Sequence, residues 1–278
     1  MKKLLIAGLV VLVLGIGISV ASFAALGFDI NKISTRKITT EEVDISEKFT
    51  NIEIDVAEED ISFIKCEEGE SKVIFTHNAA LKATIEVKGD TLVIKEKGVT
   101  SWTDFIGEDG DPRKLEIYLP AGEYGELDID IASADVAIDE DFDFDVYDID
   151  SASGDIRITG GEPASIDINT ASGSVNILDV KVDKIDIDSA SGDITLENVI
   201  AISIDIDTAS GDVDLLMSDA SSINIDTASG DVTGTLLSGK VFDVDTASGD
   251  IDVPSDGQGG KCDVDTASGD VTFTIAGE

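Results

Sequence analysis

Side chains that usually carry chemistry are scarce in this 278-residue sequence. It has one histidine, two cysteines and one tryptophan, and its three arginines are Arg36, Arg113 and Arg157. That leaves little material for an active site. Basic charge is short as well: 19 Lys and Arg stand against 58 Asp and Glu, a formal net charge of −39. Residues 127–278 alone hold 35 acidic and 5 basic side chains. A nucleic acid is excluded as partner, because binding phosphates requires a basic surface. Aromatic residues make up 5 % of the chain although 42 % is hydrophobic. A core of Ile, Val and Ala with few rings suits thin, stacked β layers.

What the sequence has in abundance is one phrase, best seen as I-D-I-D-T-A-S-G-D-V from Ile204 to Val213. Its alanine recurs at Ala132, Ala152, Ala171, Ala190, Ala209, Ala228, Ala247 and Ala267, at intervals of 19 or 20 residues. Such a period means a repeat architecture in which each unit buries its apolar face against its neighbours. Ile204 and Ile206 alternate with Asp205 and Asp207, the period-2 mark of a strand with one buried face. Thr208-Ala209-Ser210-Gly211 makes a corner, and Val213 and Leu215 resume the alternation. Nineteen residues hold two or three short strands and their corners, but not a β-α-β unit of about 30 or more. The spacing therefore predicts an all-β fold, a β-solenoid or single-stranded β-helix of about 19-residue rungs stacked about 4.8 Å apart.

The repeated phrase resembles the consensus I-D-I-D-T-A-S-G-D-[IV] of a bacterial family of adhesin-like proteins, domain of unknown function 4097 (DUF4097). At least seven of the eight copies carry it. Gly89-Asp90-Thr91-Leu92-Val93-Ile94 and the L-E-I-Y-L-P run from Leu115 to Pro120 also resemble the family's leading region. The resemblance covers about residues 49–278. It implies a β-strand-repeat fold in a cell-envelope protein, and it brings no catalytic motif.

In chain order, Met1-Lys2-Lys3 precedes 25 uncharged residues, Leu4 to Phe28. These are enough to cross a hydrocarbon core of about 30 Å as one transmembrane helix. Lys2 and Lys3 would stay cytoplasmic and the rest of the chain outside. A cleaved signal peptide is the competing reading, and the length of the apolar run favours an uncleaved anchor. Residues 29–48 read as a polar stalk, 49–120 as an N-terminal β cap and 121–278 as the repeat solenoid. Within the cap, Ile52 to Ile61 is a worn copy of the repeat, and Val73–Thr76, Thr84–Val87 and Thr91–Lys95 read as strands. Trp102 and Phe105 lie in a Gly- and Asp-rich loop and are candidate binding-loop residues. The alternative, which the rarity of exposed Trp favours, is that Trp102 plugs the end of the core. His77 has no second histidine to join it in binding a metal and reads as a surface residue. Cys262 takes the place of Ile204 in its unit, an inward position, and Cys66 lies several rungs away, so no intrachain disulfide is expected.

Stacking would line aspartates up in three ladders. One runs Asp128, Asp148, Asp167, Asp186, Asp205, Asn224, Asp243, Asp263, and the next Asp130, Asp150, Asn169, Asp188, Asp207, Asp226, Asp245, Asp265. The third, after the corner, runs Asp135, Asp155, Ser174, Asp193, Asp212, Asp231, Asp250, Asp270. Two carboxylates at about 4.8 Å cost about 0.9 kcal/mol in water. About fifteen such pairs approach the stability of a whole domain, about 5–15 kcal/mol, so something must offset them. Salt and side-chain splay are one answer, and third-ladder carboxylates accepting corner N–H groups are another. Weak calcium at Asp186, Asp188, Asp205, Asp207, Asp193, Asp212 and Asp231 is a third, although the spacing of known calcium β-rolls is absent. No other cofactor is implied. A column of Ser151, Thr170, Ser189, Thr208, Thr227, Thr246 and Thr266 points inward by strand parity, so its hydroxyls should bond within the corner.

The function these features favour is a membrane-anchored, extracytoplasmic, non-catalytic module that binds or scaffolds an envelope or surface polymer. An envelope-regulatory ectodomain is the nearby alternative. A polysaccharide-active β-helix enzyme is disfavoured, because acid–base work needs carboxylates in unlike surroundings and here the surroundings repeat.

Overall fold

The structure is a computed structural model that describes residues 38–79, 81–97, 113–255 and 257–277. The strands follow the chain as β1 (Ile38–Asp44), β2 (Asn51–Val56), β3 (Asp60–Cys66), β4 (Lys72–Asn78), β5 (Lys82–Lys88), β6 (Thr91–Lys97) and β7 (Lys114–Pro120). Next come β8 (Gly122–Ile131), β9 (Val136–Ile138), β10 (Phe142–Ser151), β11 (Ile156–Thr159), β12 (Ser165–Thr170), β13 (Val175–Leu178), β14 (Lys181–Ser189), β15 (Ile194–Glu197) and β16 (Ile200–Thr208). The last are β17 (Val213–Thr227), β18 (Val232–Leu236), β19 (Lys240–Thr246), β20 (Ile251–Asp252), β21 (Gly260–Thr266) and β22 (Val271–Ile275). No helix occurs among the described residues. The expected transmembrane segment and the Trp102–Phe105 loop lie outside them.

Repeats stack as the period requires. Each rung places one strand in a first parallel sheet and a shorter one in a second, so Ile185, Ile204 and Ile223 are paired partners, as are Ile194, Val213 and Val232. Inward Ile and Val side chains are buried along the inner rungs, including Ile187, Ile206, Ile225 and Leu215 at 0 % exposure. The aspartates between them face out, as alternation demands. β17 serves both sheets: its first half pairs with β15 and β18, its second with β16 and β21.

The order of rungs departs from the order of the chain at both ends. β2 and β3 are inner rungs, held between β6 and β8 in one sheet and between β7 and β9 in the other. At the far end β21 pairs with β17 on one side and β19 on the other, and β22 sits likewise between β18 and β20. The last repeat is therefore inserted inside the one before it. Each ladder ends Asp263, Asp243 or Asp265, Asp245 or Asp270, Asp250, the reverse of chain order. Gly234 makes the choice intelligible, since a Cβ there would lie 2.5 Å from the Phe273 ring. That space fits the Phe of β22 and fixes it beside β18.

Two readings of the leading region are corrected. Ile38–Asp44, within the stretch read as a stalk, is strand β1, paired antiparallel with β4. Its I-T-T-E-E-V-D sequence is polar enough for an edge strand. His77 is not on the surface: it is fully buried and stacked on Phe75 at 4.5 Å. Val73, Phe75 and His77 share strand parity, so His77 points inward with them. One group of rings gathers around Phe63, where Phe142 and Phe144 lie 5.8 and 5.6 Å away, with Tyr147 against Phe144. There β8 and β10 run 10 residues each, giving broader rungs that need ring-sized filler. Cys66 and Cys262 are both free thiols, and Cys262 is buried in the inward position expected of it.

Candidate functional site

Three acidic ladders run along the stack, and each meets a different environment. In the third, each carboxylate before the outermost rung accepts the backbone N–H one rung on. Asp135 receives Asp155 N at 2.8 Å, Asp193 receives Asp212 N at 3.0 Å, and Asp212 receives Asp231 N at 2.8 Å. The series continues through Asp270 N on Asp231 and Asp250 N on Asp270, both 2.8 Å, in the inserted order of the rungs. A charge-assisted bond of this kind offsets the repulsion between neighbours. The first ladder instead draws on the few cations: Lys184 pairs with Asp186, Lys261 with Asp263 and Lys95 with Glu53, while Asn224 donates to Asp205 at 2.8 Å. Burial, and then the charges of Asp186 and Asp148, still raise the Asp167 carboxyl above the usual range.

The second ladder borders a groove. At the corner of most rungs an exposed Asp, a buried Ser or Thr and an exposed Ala follow one another, as in Asp207-Thr208-Ala209, with Ile131 and Asn169 the substitutions and Thr246 half-buried. Repeated rung upon rung, they line an open groove of about 1610 Å³ from Asp55 to Ala267. Thr170 and Thr208 donate to the carbonyls of Ser172 and Ser210, at 3.2 and 3.3 Å, beneath the floor. Ser189 and Thr227, equally buried, find no partner. The alanine N–H groups are already used, Ala190 on Thr170 O and Ala209 on Ser189 O, each 3.0 Å. Burial first, and then Asp226 and Asp188, raise the Asp207 carboxyl.

At one end the groove meets the cap, where Leu81 and Glu96 line it. The Glu96 side chain is 3 % exposed and neither carboxyl oxygen accepts a hydrogen bond, although His77 Nδ1 lies 3.2 Å from one of them. Burial, reinforced by the charge of Glu59, pushes Glu96 up to about 7. Glu59, fully buried, is raised for the same leading reason and accepts Glu58 N at 3.0 Å. Arg113 pairs with Glu58, and the exposed Glu41 approaches His77 Nε2 to 3.4 Å.

The seven candidate calcium ligands, expected to bind weakly and in a distributed way, are spread over all three ladders. Asp186 and Asp205 lie in the first ladder, Asp188 and Asp207 in the second, and Asp193, Asp212 and Asp231 in the third, with Asp193 and Asp212 already bonded to amides. Among the described residues no three His, Cys, Asp or Glu side chains group as a metal would require. Missed in the sequence were the alanine floor and the Glu59–His77–Glu96 cluster. The alanine was readable, since it recurs beside an inward Thr on a corner. Glu96 was not, because only the cap's tertiary packing buries it.

The class is thus an all-β protein of stacked parallel rungs, exposing a continuous acidic groove. The chain belongs to the family described as Toastrack DUF4097, whose pattern matches residues 49–236 and 188–278. No curated protein matches. Among solved structures, a candidate lipid-binding protein of Parabacteroides distasonis ATCC 8503 is 18 % identical, with a TM-score of 0.51 and coverage of 86 % of this chain and 96 % of that one. A candidate adhesin of Bacteroides fragilis NCTC 9343 is 15 % identical with a TM-score of 0.49, covering 86 % of this chain and 98 % of that one. At its identity the likeness to the Parabacteroides protein speaks for the fold alone.

Proposed function

We propose that this protein is a non-catalytic binding module displayed outside the cytoplasmic membrane. The observation that supports it is the groove, which Asp or Asn, Ser or Thr, and Ala line at every rung from β10 onward. Repetition suits a polymeric or extended ligand, and it gives the carboxylates of successive repeats like surroundings rather than the unlike ones that acid–base catalysis uses. The name of one solved relative, a candidate lipid-binding protein, is that of a binder. The uncharged run from Leu4 to Phe28 is read as the anchor that holds the module to the membrane. A survey of the full chain against cell-wall polymers, lipid vesicles and matrix proteins should find saturable binding without turnover. Degradation of any glycan in that survey would replace this reading with the enzymatic one. Calcium along the ladders is tested separately: millimolar Ca²⁺ should raise the melting temperature more than NaCl of matched ionic strength, and equal shifts would reject specific binding.

A further inference from the structure

The two ends of the stack are finished differently. At the leading end the outermost strands, β5 and β1, each run antiparallel to the strand inside them. Lys82 and Lys88 stand at the two ends of β5. On β1, Glu41 lies opposite the buried Phe75 and reaches His77 Nε2 at 3.4 Å, which puts a charge on the inner face. Edge lysines and inward charges both discourage a further strand. The far end has neither device, and its outermost rung is one more repeat. Among the described residues β19 pairs only with β21, and β20 only with β22. Solenoid ends ordinarily need a polar cap, and this one exposes its core. In the inserted repeat Cys262, Val264, Thr266, Val271 and Phe273 are buried. Their counterparts one rung out, Phe242, Val244, Thr246, Ile251 and Val253, are half-buried or exposed, Ile251 at 46 %.

The backbone is open there as well. Ala247 N–H donates to Thr266 O at 3.2 Å, so by strand alternation Phe242, Val244 and Thr246 turn their N–H and C=O groups away from β21, toward the edge. Lys240, at the start of β19, is buried and takes no part. β20 stops short of Pro254, which leaves β19 as the strand able to pair. We propose that this edge is a homodimer interface, two copies joining end to end with their β19 strands antiparallel about a two-fold axis at Val244. Centred there, Val244 faces the partner's Val244 and Phe242 faces the partner's Thr246, so all three outward-turned residues exchange backbone bonds. On the inner face a large side chain then meets a small one. An axis normal to the sheets keeps both inner faces inward, and each half-open core covers the other. The seven residues of β19 span about 23 Å, and two sheets with their side chains about 20 Å. The resulting footprint of about 460 Å² on each copy is close to the total of about 1,000 Å² at which specific interfaces begin, so the dimer is reversible rather than permanent. On the outer face Asp243 stands opposite the partner's Asp245. Asp243 already meets Asp263, and Asp245 meets Asp265, in the same way within the chain. Salt should therefore tighten the dimer by screening, where ion pairing would be loosened. The pairing does not depend on what the groove binds.

Sedimentation of the full chain in density-matched mild detergent, from about 1 to 100 μM, should show the 29.1 kDa chain passing reversibly to twice that mass. Hydrogen exchange of the same samples should slow at Phe242, Val244 and Thr246 by about tenfold or more as concentration rises, and stay unchanged in β5. Val244→Pro removes an N–H that no described strand uses. It should keep the native circular dichroism spectrum and weaken dimerisation by about tenfold or more. Ile202→Asp replaces an exposed aliphatic on β16, three rungs in from the edge, and should dimerise like the wild type. A chain that stays monomeric, a folded Val244→Pro that dimerises unchanged, or a dimer that salt loosens would overturn the assignment. So would a dimer lost on Ile202→Asp, or one in which the three amides gain no protection, as pairing through the uncharged N-terminal run would give. The exchange measurement needs no variant, so it decides the matter even if Val244→Pro does not fold. None of these outcomes touches the binding-module reading, which the polymer survey tests by itself.

Discussion

Single residues at the corners set how closely rungs can approach. Gly211 has φ +130° and a Cβ there would lie 2.2 Å from the Gly192 carbonyl oxygen, a backbone atom that cannot move aside. Gly211→Ala should therefore destabilise the fold by about 2 kcal/mol or more, combining backbone strain with overlap, measurable by urea unfolding. A wild-type midpoint would show that the rungs are not packed this closely. At the opposite corner Gly160, Asp179, Asn198 and Met217 form a column of left-handed residues, with φ +77°, +56°, +56° and +51°. Three of the four are types that tolerate this region, and Met217 is not. Its side chain is exposed, so little packing is lost on replacing it. Met217→Gly or Met217→Asn is expected to stabilise the protein by about 0.5–1 kcal/mol, and a lowered urea midpoint for both would contradict the assignment of strain.

Strands and ladders are the scale at which like charges become tolerable. If the third ladder serves through its acceptor oxygen, Asp212→Asn should be neutral or stabilising, because Asn keeps that oxygen and sheds the repulsion. Asp212→Ala, which strands the Asp231 N–H, should cost about 1 kcal/mol. The reverse order in thermal melts would show that the charge rather than the bond matters. In the cap, Glu96 is held at about 7, above the ordinary 4.5. The folded state thus binds the proton more tightly, so this group's contribution falls as pH rises from about 4.5 through 7. Glu96→Gln should flatten that decline and leave the protein more stable at pH 8, by on the order of 2 kcal/mol; an unchanged pH profile would place the carboxyl in water. Much of this was legible in sequence. The 19-residue period and the I-D-I-D parity showed rung, inward face and all three ladders, and Cys262 followed from its place in the repeat. Parity also put His77 beside Phe75, but the solitary histidine was judged by count rather than by its strand. Glu59 and Glu96 could not be seen at all: what buries them is pairing between β2 and β6 and between β3 and β7, far apart in the chain.

For the whole molecule, the consequence of near-identical repeats is that register alone cannot decide which copy lies next to which. Cys262 to Gly269 and Phe242 to Gly249 carry almost the same phrase, and either would continue the ladders beside Ile223 to Gly230. Packing breaks the tie. β21 and β22 bury Cys262, Val264 and Val271 at 0 % and Phe273 at 2 % exposure, whereas the outermost rung leaves Val241 at 49 % and Ile251 at 46 %. Only the inserted repeat offers a Phe to the space over Gly234, and Lys240, buried where the chain steps past the rung that β21 and β22 fill, pairs with Asp219. The insertion makes a topological prediction that ordinary stacking does not. Ser222 pairs with Lys261, and Lys261 pairs with Val241, so Ser222 and Val241 are two rungs apart. In a background with Cys66→Ser and Cys262→Val, the pair Ser222→Cys and Lys261→Cys should oxidise to a disulfide. The pair Ser222→Cys and Val241→Cys, about 9.6 Å apart at two rung spacings, exceeds the reach of about 7 Å between Cα atoms and should stay reduced. Thiol titration and mobility on a denaturing gel read both. Crosslinking of the second pair but not the first would put the repeats back in chain order, and with them the sequence of carboxylates along the end of the groove.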